Sequence, residues 1–200
     1  MNNDIKIILF DLGRVLMHID FDAFPNALGL FTEEQRTPYR PATAKLWRLY
    51  ETGKMSTGEF LESQYAIFDG RYSKEKILDA WNAIIVDDNT EIVPLVQKVQ
   101  KKYTTAILSN TSESHWEKAM RISPLIRSFP HAFTSFQLGA MKPDCVVYEK
   151  VCTSLNVQPH EILFIDDLKE NVDSAIAAGM KGVVFRGATD IELQLKNYLK

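Results

Sequence analysis

Five side chains of this chain stand where they could do chemistry together: Asp11, Ser109, Lys142, Asp166 and Asp167. Asp11 closes the apolar run Ile5-Lys6-Ile7-Ile8-Leu9-Phe10. Ser109 closes Thr104-Thr105-Ala106-Ile107-Leu108, and the Asp166-Asp167 pair closes Glu161-Ile162-Leu163-Phe164-Ile165. An aspartate leaving a strand is, taken alone, an ordinary turn residue. If the three runs are parallel strands of one sheet, however, their ends share the edge where ligands of open α/β sheets bind. Three carboxylates gathered there repel one another unless a cation joins them. With oxygen donors only, and no His or Cys nearby, that cation is a hard ion, and Mg²⁺ suits a site that also holds phosphate. Lys142 adds a compact positive charge, and Ser109 a hydroxyl donor.

The run before Asp11 fits a central strand covered on both faces. From Asp22 to about Ile84 no strand pattern is visible. That segment instead carries helical stretches rich in large side chains: Trp47, Leu49, Tyr50, Phe60, Leu61, Tyr65, Phe68, Ile77, Leu78 and Trp81. Ser56-Thr57-Gly58-Glu59 has the form of a capping box, Ser73 opens a further helix, and Pro38 and Pro41 split the earlier stretch into two. Such aromatics are expected to form the core of a small bundle.

Beyond Asp87 helices and strands alternate. The pattern predicts a helix from Glu91 to Lys102 with Pro94 in its first turn, then the strand at 104–108. An irregular segment containing Pro124 and Pro130 follows, then a short strand near 131–135. Pro143 is expected in the first turn of a helix reaching about Leu155. After the strand at 161–165 come a helix from Lys169 to Ala178 stopped by Gly179, a last strand at 181–185, and within 190–200 an edge strand or, preferred, a final helix against the sheet. The alternation predicts an α/β fold, a three-layer doubly wound parallel sheet.

Two hundred residues, 24% charged and 46% hydrophobic, can bury a sizeable core in one domain or one domain with a smaller insertion. A formal net charge of −3 gives no broad attraction to nucleic acid or an anionic membrane. No apolar segment approaches a bilayer span and the amino terminus lacks a signal-peptide pattern, so the expectation is a cytoplasmic protein. Cys145 and Cys152 lie about two turns apart on one expected helix, too far for a disulfide, and are read as reduced core thiols.

The order and form of Asp11-Leu12-Gly13, Leu108-Ser109-Asn110, Lys142-Pro143 and Ile165-Asp166-Asp167 resemble the four motifs of the haloacid dehalogenase-like hydrolase superfamily. The likeness spans Ile5 to Phe185 and is nearest its sugar-phosphatase-like branch, similar to glucose-1-phosphate phosphatases and the phosphatase half of soluble epoxide hydrolases. The resemblance implies a Rossmann-like catalytic core at 1–16 and 86–200 and a helical cap inserted at 17–85. It implies a Mg²⁺-dependent phosphomonoester hydrolase in which Asp11 is the nucleophile, forming an aspartyl-phosphate that water hydrolyses. Asp11, the Gly13 carbonyl, Asp166 and Asp167 would hold the ion. Gly13, Arg14, Ser109, Asn110 and Lys142 would line the phosphate site, with Asn171 propping the metal loop. The implied partner is a small phosphorylated metabolite, with no nucleic acid and no membrane, bound by a monomer or homodimer.

One position departs from that pattern. Most phosphatases of the superfamily carry a second aspartate two residues after the nucleophile as general acid and base; here that residue is Gly13. Losing a positioned acid costs roughly 10²- to 10⁴-fold in rate. A sugar 1-phosphate or an acyl phosphate, whose leaving oxygen needs little help, would suffer least. His18 or an acid of the cap is the alternative source of the proton. A weakened or inactive relative serving as a phosphometabolite sensor or as a regulatory, protein-binding module is the competing class, against which stand the intact Asp11, Ser109, Lys142, Asp166 and Asp167. Dehalogenases need no metal, so the retained acidic pair speaks against that chemistry; phosphonate hydrolysis would need a cap lysine, and Lys45 and Lys54 read as surface residues. Asp20 and Asp22 are expected at a hinge or helix cap, and His115, His131 and His160 at solvated positions.

Overall fold

A computed structural model describes residues 5–199. The expected core's first residues and the far end of the carboxyl-terminal helix, 1–4 and 200, lie outside the described residues. Five strands form one parallel sheet in the order β5-β4-β1-β6-β7: β1 Ile7–Phe10, β4 Thr104–Ser109, β5 His131–Thr134, β6 Ile162–Asp166 and β7 Lys181–Val184. β1 is central and its four residues are buried. Alternate side chains go to opposite faces: Ile8 and Phe10 join one apolar cluster with Ile107, Leu163 and Ile165, while Ile7 and Leu9 join the other with Leu108, Ile162 and Phe164. A continuous apolar run is what a strand needs when neither face meets water.

Helices α6 Val93–Gln100, α7 Glu113–Ile122, α8 Pro124–Arg127, α9 Ser135–Leu138, α10 Cys145–Leu155, α11 Lys169–Ala177 and α12 Ala188–Leu195 pack around that sheet. The segment expected to be irregular is therefore mostly helical. The buried face of α7 is Ser114, His115 and Ala119, which offers little apolar periodicity to read. Pro143 does not enter a helix. Asp144 is the N-cap of α10, accepting from the Val146 N–H at 3.2 Å, and Pro143 precedes it after a cis peptide bond. Cys145 is exposed and Cys152 half-buried on α10, so they are free thiols but not core thiols.

Between β1 and β4 the chain leaves the sheet through β2 Met17–Ile19 and returns through β3 Ile85–Asp88, an antiparallel ribbon that the sequence reading passed over because each strand is too short to show a period. Between them lie α1 Ala23–Ala27, α2 Glu33–Arg36, α3 Arg40–Glu51, α4 Thr57–Ile67 and α5 Lys74–Asn82. The Ser56–Glu59 capping box is present at α4, Ser73 caps α5, and Pro41 sits in the first turn of α3. Phe24, Tyr50, Phe60, Phe68, Ile77 and Trp81 form the bundle's own core, with Trp47 half-buried; Tyr65, expected there, is exposed. No helix among the described residues is long and apolar enough to cross a membrane.

Candidate active site

The carboxyl ends of β1, β4 and β6 lie side by side, and the register carries their terminal residues to one place. The Asp11 N–H donates to the Ile165 carbonyl at 2.8 Å, extending the β1–β6 ladder by one step and setting Asp11 beside Asp166. Carboxylate oxygens of Asp11, Asp166 and Asp167 lie within 4.8 Å of one another. Lys142 Nζ donates to Asp11 Oδ1 at 2.6 Å and to Asp166 Oδ2 at 2.7 Å, and all three side chains are buried.

Neighbouring groups fix this arrangement. Asn110, just past β4, clamps the backbone of Lys142 from both sides: its Nδ2 donates to the Lys142 carbonyl at 2.9 Å and its Oδ1 accepts the Lys142 N–H at 2.8 Å. The Phe164 ring lies 5.4 Å from the ammonium. Asp166 accepts from the Leu168 N–H at 2.8 Å and from Asn171 Nδ2 at 3.0 Å, and Tyr148 holds the Asn171 carbonyl at 2.8 Å. A buried carboxylate with that many donors is locked in one orientation. Ser109 is buried at the end of β4, next to β1. Arg14, in the left-handed backbone region at φ +59°, holds its guanidinium 3.7 Å from Asp167 and over the ring of Phe21.

Burial pushes the Asp11 carboxyl upward, Lys142 offsets part of that, and the Asp166 charge adds to it. Burial, then Asp166, raises Asp167 as well. Lys142 loses solvation too, yet Asp11 and Asp166 outweigh the loss and hold its ammonium above the ordinary range. Three carboxylates face one buried ammonium and, at the rim, the Arg14 guanidinium, so the ionised cluster keeps a net negative charge that a cation would offset. The donor atoms fit such an ion. Asp11, Asp166 and Asp167 offer carboxylate oxygens within 4.8 Å of one another, a donor set that would suit Mg²⁺. No His or Cys belongs to the cluster, consistent with a hard cation.

Other sequence candidates lie elsewhere or do local work. His18 pairs with Asp87 across the exposed β2–β3 ribbon at 2.8 Å. Asp20 accepts from the Asp22 N–H, and Asp22 receives Arg36, so both serve the turn into the bundle. Lys45 and Lys54 are exposed on the bundle, and His131 and His160 face solvent. His115 does not: it is buried, stacked on Trp81 with ring centroids 4.4 Å apart, and its Nε2 bonds the Trp81 carbonyl at 2.8 Å. The sequence reading also passed over Ser135, whose Oγ accepts the Thr111 N–H at 2.9 Å beside the Ser109-Asn110 loop. No spacing rule links it to that loop.

A family model of haloacid dehalogenase-like hydrolases matches residues 8–185. The chain is 28% identical over 177 residues to a D-ribitol-5-phosphate phosphatase of Bacteroides thetaiotaomicron, covering 84% of this chain and 85% of that protein. Among solved structures, a HAD family enzyme of the same organism, in complex with magnesium and inorganic phosphate, superposes with a TM-score of 0.79 at 24% identity over 92% of this chain and 95% of that one. A predicted HAD-like family hydrolase of Porphyromonas gingivalis gives 0.80 at 22% identity over 96% and 98%.

Proposed function

Since this chain belongs to the haloacid dehalogenase-like hydrolases, we propose that it is a Mg²⁺-dependent phosphomonoesterase that uses Asp11 as nucleophile on a small sugar phosphate. The observation that carries this reading is the buried Asp11–Lys142–Asp166 pairing with Asp167 beside it at the sheet edge. The magnesium and phosphate bound by the solved relative, and the named activity of the ribitol phosphate enzyme, support it.

Asp11 attacks phosphorus in line as the P–O ester bond breaks and the sugar alcohol leaves, taking its proton from water; a second water then hydrolyses the aspartyl-phosphate, freeing inorganic phosphate and the Asp11 carboxylate. Lys142 fixes the rotation of the Asp11 carboxylate through Oδ1 and faces the transferring oxygens with its remaining charge. Ser109 supplies a hydroxyl donor to the same oxygens. The side chain of Asn110 is committed to the Lys142 loop, so it contributes by placing Lys142. Asp166 is saturated by Lys142, Leu168 and Asn171, which leaves Asp11 and Asp167, with the Gly13 carbonyl, as the better direct ligands for the ion. When bound, Mg²⁺ neutralises the carboxylates and polarises the phosphoryl group.

Beyond Arg14 the bundle holds a cavity of about 320 Å³ whose lining includes Phe21, Tyr39, Trp47, Phe68, Asp22 and Arg36. Aromatic faces pack on the C–H faces of a sugar while charged groups take its hydroxyls. Because Gly13 offers no carboxylate, esters whose leaving oxygen needs little protonation, such as a sugar 1-phosphate, are favoured. Hydrolysis of a sugar-phosphate panel with Mg²⁺, then with chelator, tests the reading. Wild-type turnover should vanish on chelation and fall at least about 10³-fold in Asp11→Asn. Turnover that survives either treatment would falsify it.

A further inference from the structure

The turn that leaves β1 aims a cation at the space between the acidic cluster and the bundle cavity. Arg14 holds φ +59°, a left-handed conformation uncommon outside glycine, while its N–H donates to the Met17 carbonyl at 2.7 Å and Gly13 forms a β-bridge with Met17 in the same turn. Its guanidinium lies 3.7 Å from Asp167 Oδ2 on one side and 5.6 Å from the centre of the Phe21 ring on the other. Phe21 and Trp47, stacked with ring centroids 6.4 Å apart, both line the cavity. The side chain of Arg14 thus spans the gap from the carboxylates to the cavity wall.

The fold itself leaves its donors unspent. The separation from Asp167 exceeds hydrogen-bond length, and the exposed guanidinium makes no hydrogen bond among the described residues. Lys142, by contrast, is already donating to Asp11 and Asp166. In-line displacement puts the attacking and leaving oxygens on opposite sides of phosphorus. Asp11 attacks from the buried floor, where Lys142 holds it, so the ester oxygen must point outward, towards the rim that Arg14 and Phe21 form. That oxygen gathers negative charge as its bond to phosphorus breaks, and Gly13 has no acid to meet it.

We propose that Arg14 is a catalytic residue that donates hydrogen bonds to the departing ester oxygen, an electrostatic substitute for the proton donor absent at Gly13. This rests on the phosphatase reading above. As the bond from Asp11 to phosphorus forms, the electron pair of the P–O ester bond passes to the leaving oxygen. Arg14 stays protonated throughout and stabilises that charge until water supplies the proton.

The test compares esters in pairs that differ in how readily the alcohol leaves: p-nitrophenyl with phenyl phosphate, and glucose 1-phosphate with glucose 6-phosphate, all with Mg²⁺. kcat/KM is measured for wild type, Arg14→Gln and Arg14→Asn, the asparagine being at ease in a left-handed backbone. Calorimetry of Mg²⁺ binding without substrate gives a second readout. In whichever pair wild type hydrolyses, both variants should lose at least about ten-fold more on the poorer leaving group than on the better one. Mg²⁺ affinity should hold or rise, because a positive charge 3.7 Å from Asp167 has been removed. An arginine that only braced Asp167 or Phe21 would cost both members of a pair the same factor and weaken Mg²⁺ binding. Equal losses within the pairs, no loss on any ester, or weaker Mg²⁺ binding in both variants would each overturn the assignment while leaving the phosphatase reading standing. A wild type inert towards every ester would overturn that reading and this proposal with it.

Discussion

At position 13 nothing in the backbone demands a glycine, since no positive φ occurs there and an added Cβ would meet only the Ile19 side chain, most closely Cδ1 at 3.0 Å. A flexible methyl end can yield by a few tenths of an ångström. Gly13→Asp should therefore fold, and by restoring an acid two residues after Asp11 it should raise kcat on a simple alkyl phosphate at least about ten-fold. A steady-state comparison that finds an unchanged rate would mean that proton delivery at this position does not limit the reaction. Asp11 and the acidic pair were legible in the sequence because each closes an apolar run, whereas Lys142 was picked out by the resemblance of its Lys-Pro step, although Pro143 stands before the helix and not in its first turn. The junction made by Ser135 was not legible. Its Oγ donates to the Glu51 carbonyl, more than eighty positions away, a relation that leaves no local pattern.

Among the elements, α7 holds the bundle to the core. Its first turn receives the bundle through polar contacts: Trp81 Nε1 donates to Ser112 Oγ at 3.0 Å, the Ser114 N–H to Tyr50 Oη at 3.3 Å, and Thr57 Oγ1 to Glu113 at 2.8 Å. Lys118 caps the end of α5 by donating to the Asn82 and Ile85 carbonyls. Those polar residues hid α7 from a search for apolar periodicity, whereas β1, β4 and β6 were plain because both faces are apolar. Burial pulls the His115 pKa from 6.5 down to about 4, against the Trp81 carbonyl, which raises it, and with Lys118 adding to the fall. A lowered folded-state pKa means that the unfolded chain binds the proton first. The contribution is complete above pH 6.5 and is lost as pH falls towards 4, at ~1.4 kcal/mol per unit and roughly 3 kcal/mol in all. Urea titrations between pH 7.5 and 4.5 should show a shallower loss of stability in His115→Gln than in wild type. Parallel slopes would remove His115 from the account of acid sensitivity.

On the scale of the whole molecule, a net charge of −3 conceals a basic seam. Lys45, Arg48 and Lys54 on the bundle face Gly139, Ala140, Met141 and one acid, Asp144, of the core across a cavity of about 270 Å³, next to the loop that presents Lys142. Local positive charge attracts an anionic ester while the rest of the surface repels it, an effect that salt screens over a Debye length of ~10 Å at 0.1 M. Raising ionic strength from about 10 to 150 mM should lower wild-type kcat/KM several-fold, and Arg48→Glu should flatten that dependence. Identical salt curves would place substrate entry elsewhere. The sheet itself, its strand count and its parallel sense followed from the alternation of helix and strand; the seam did not, because it unites helix and loop residues nearly a hundred positions apart.

The β2–β3 ribbon has one further consequence. Ile19 and Ile85 are paired neighbours, and the Asp20 N–H donates to the Ile84 carbonyl at 2.9 Å. The polypeptide therefore departs and comes home through a single doorway. Whatever is strung between those two jambs adds its length without breaking the hydrogen-bond ladder of the sheet.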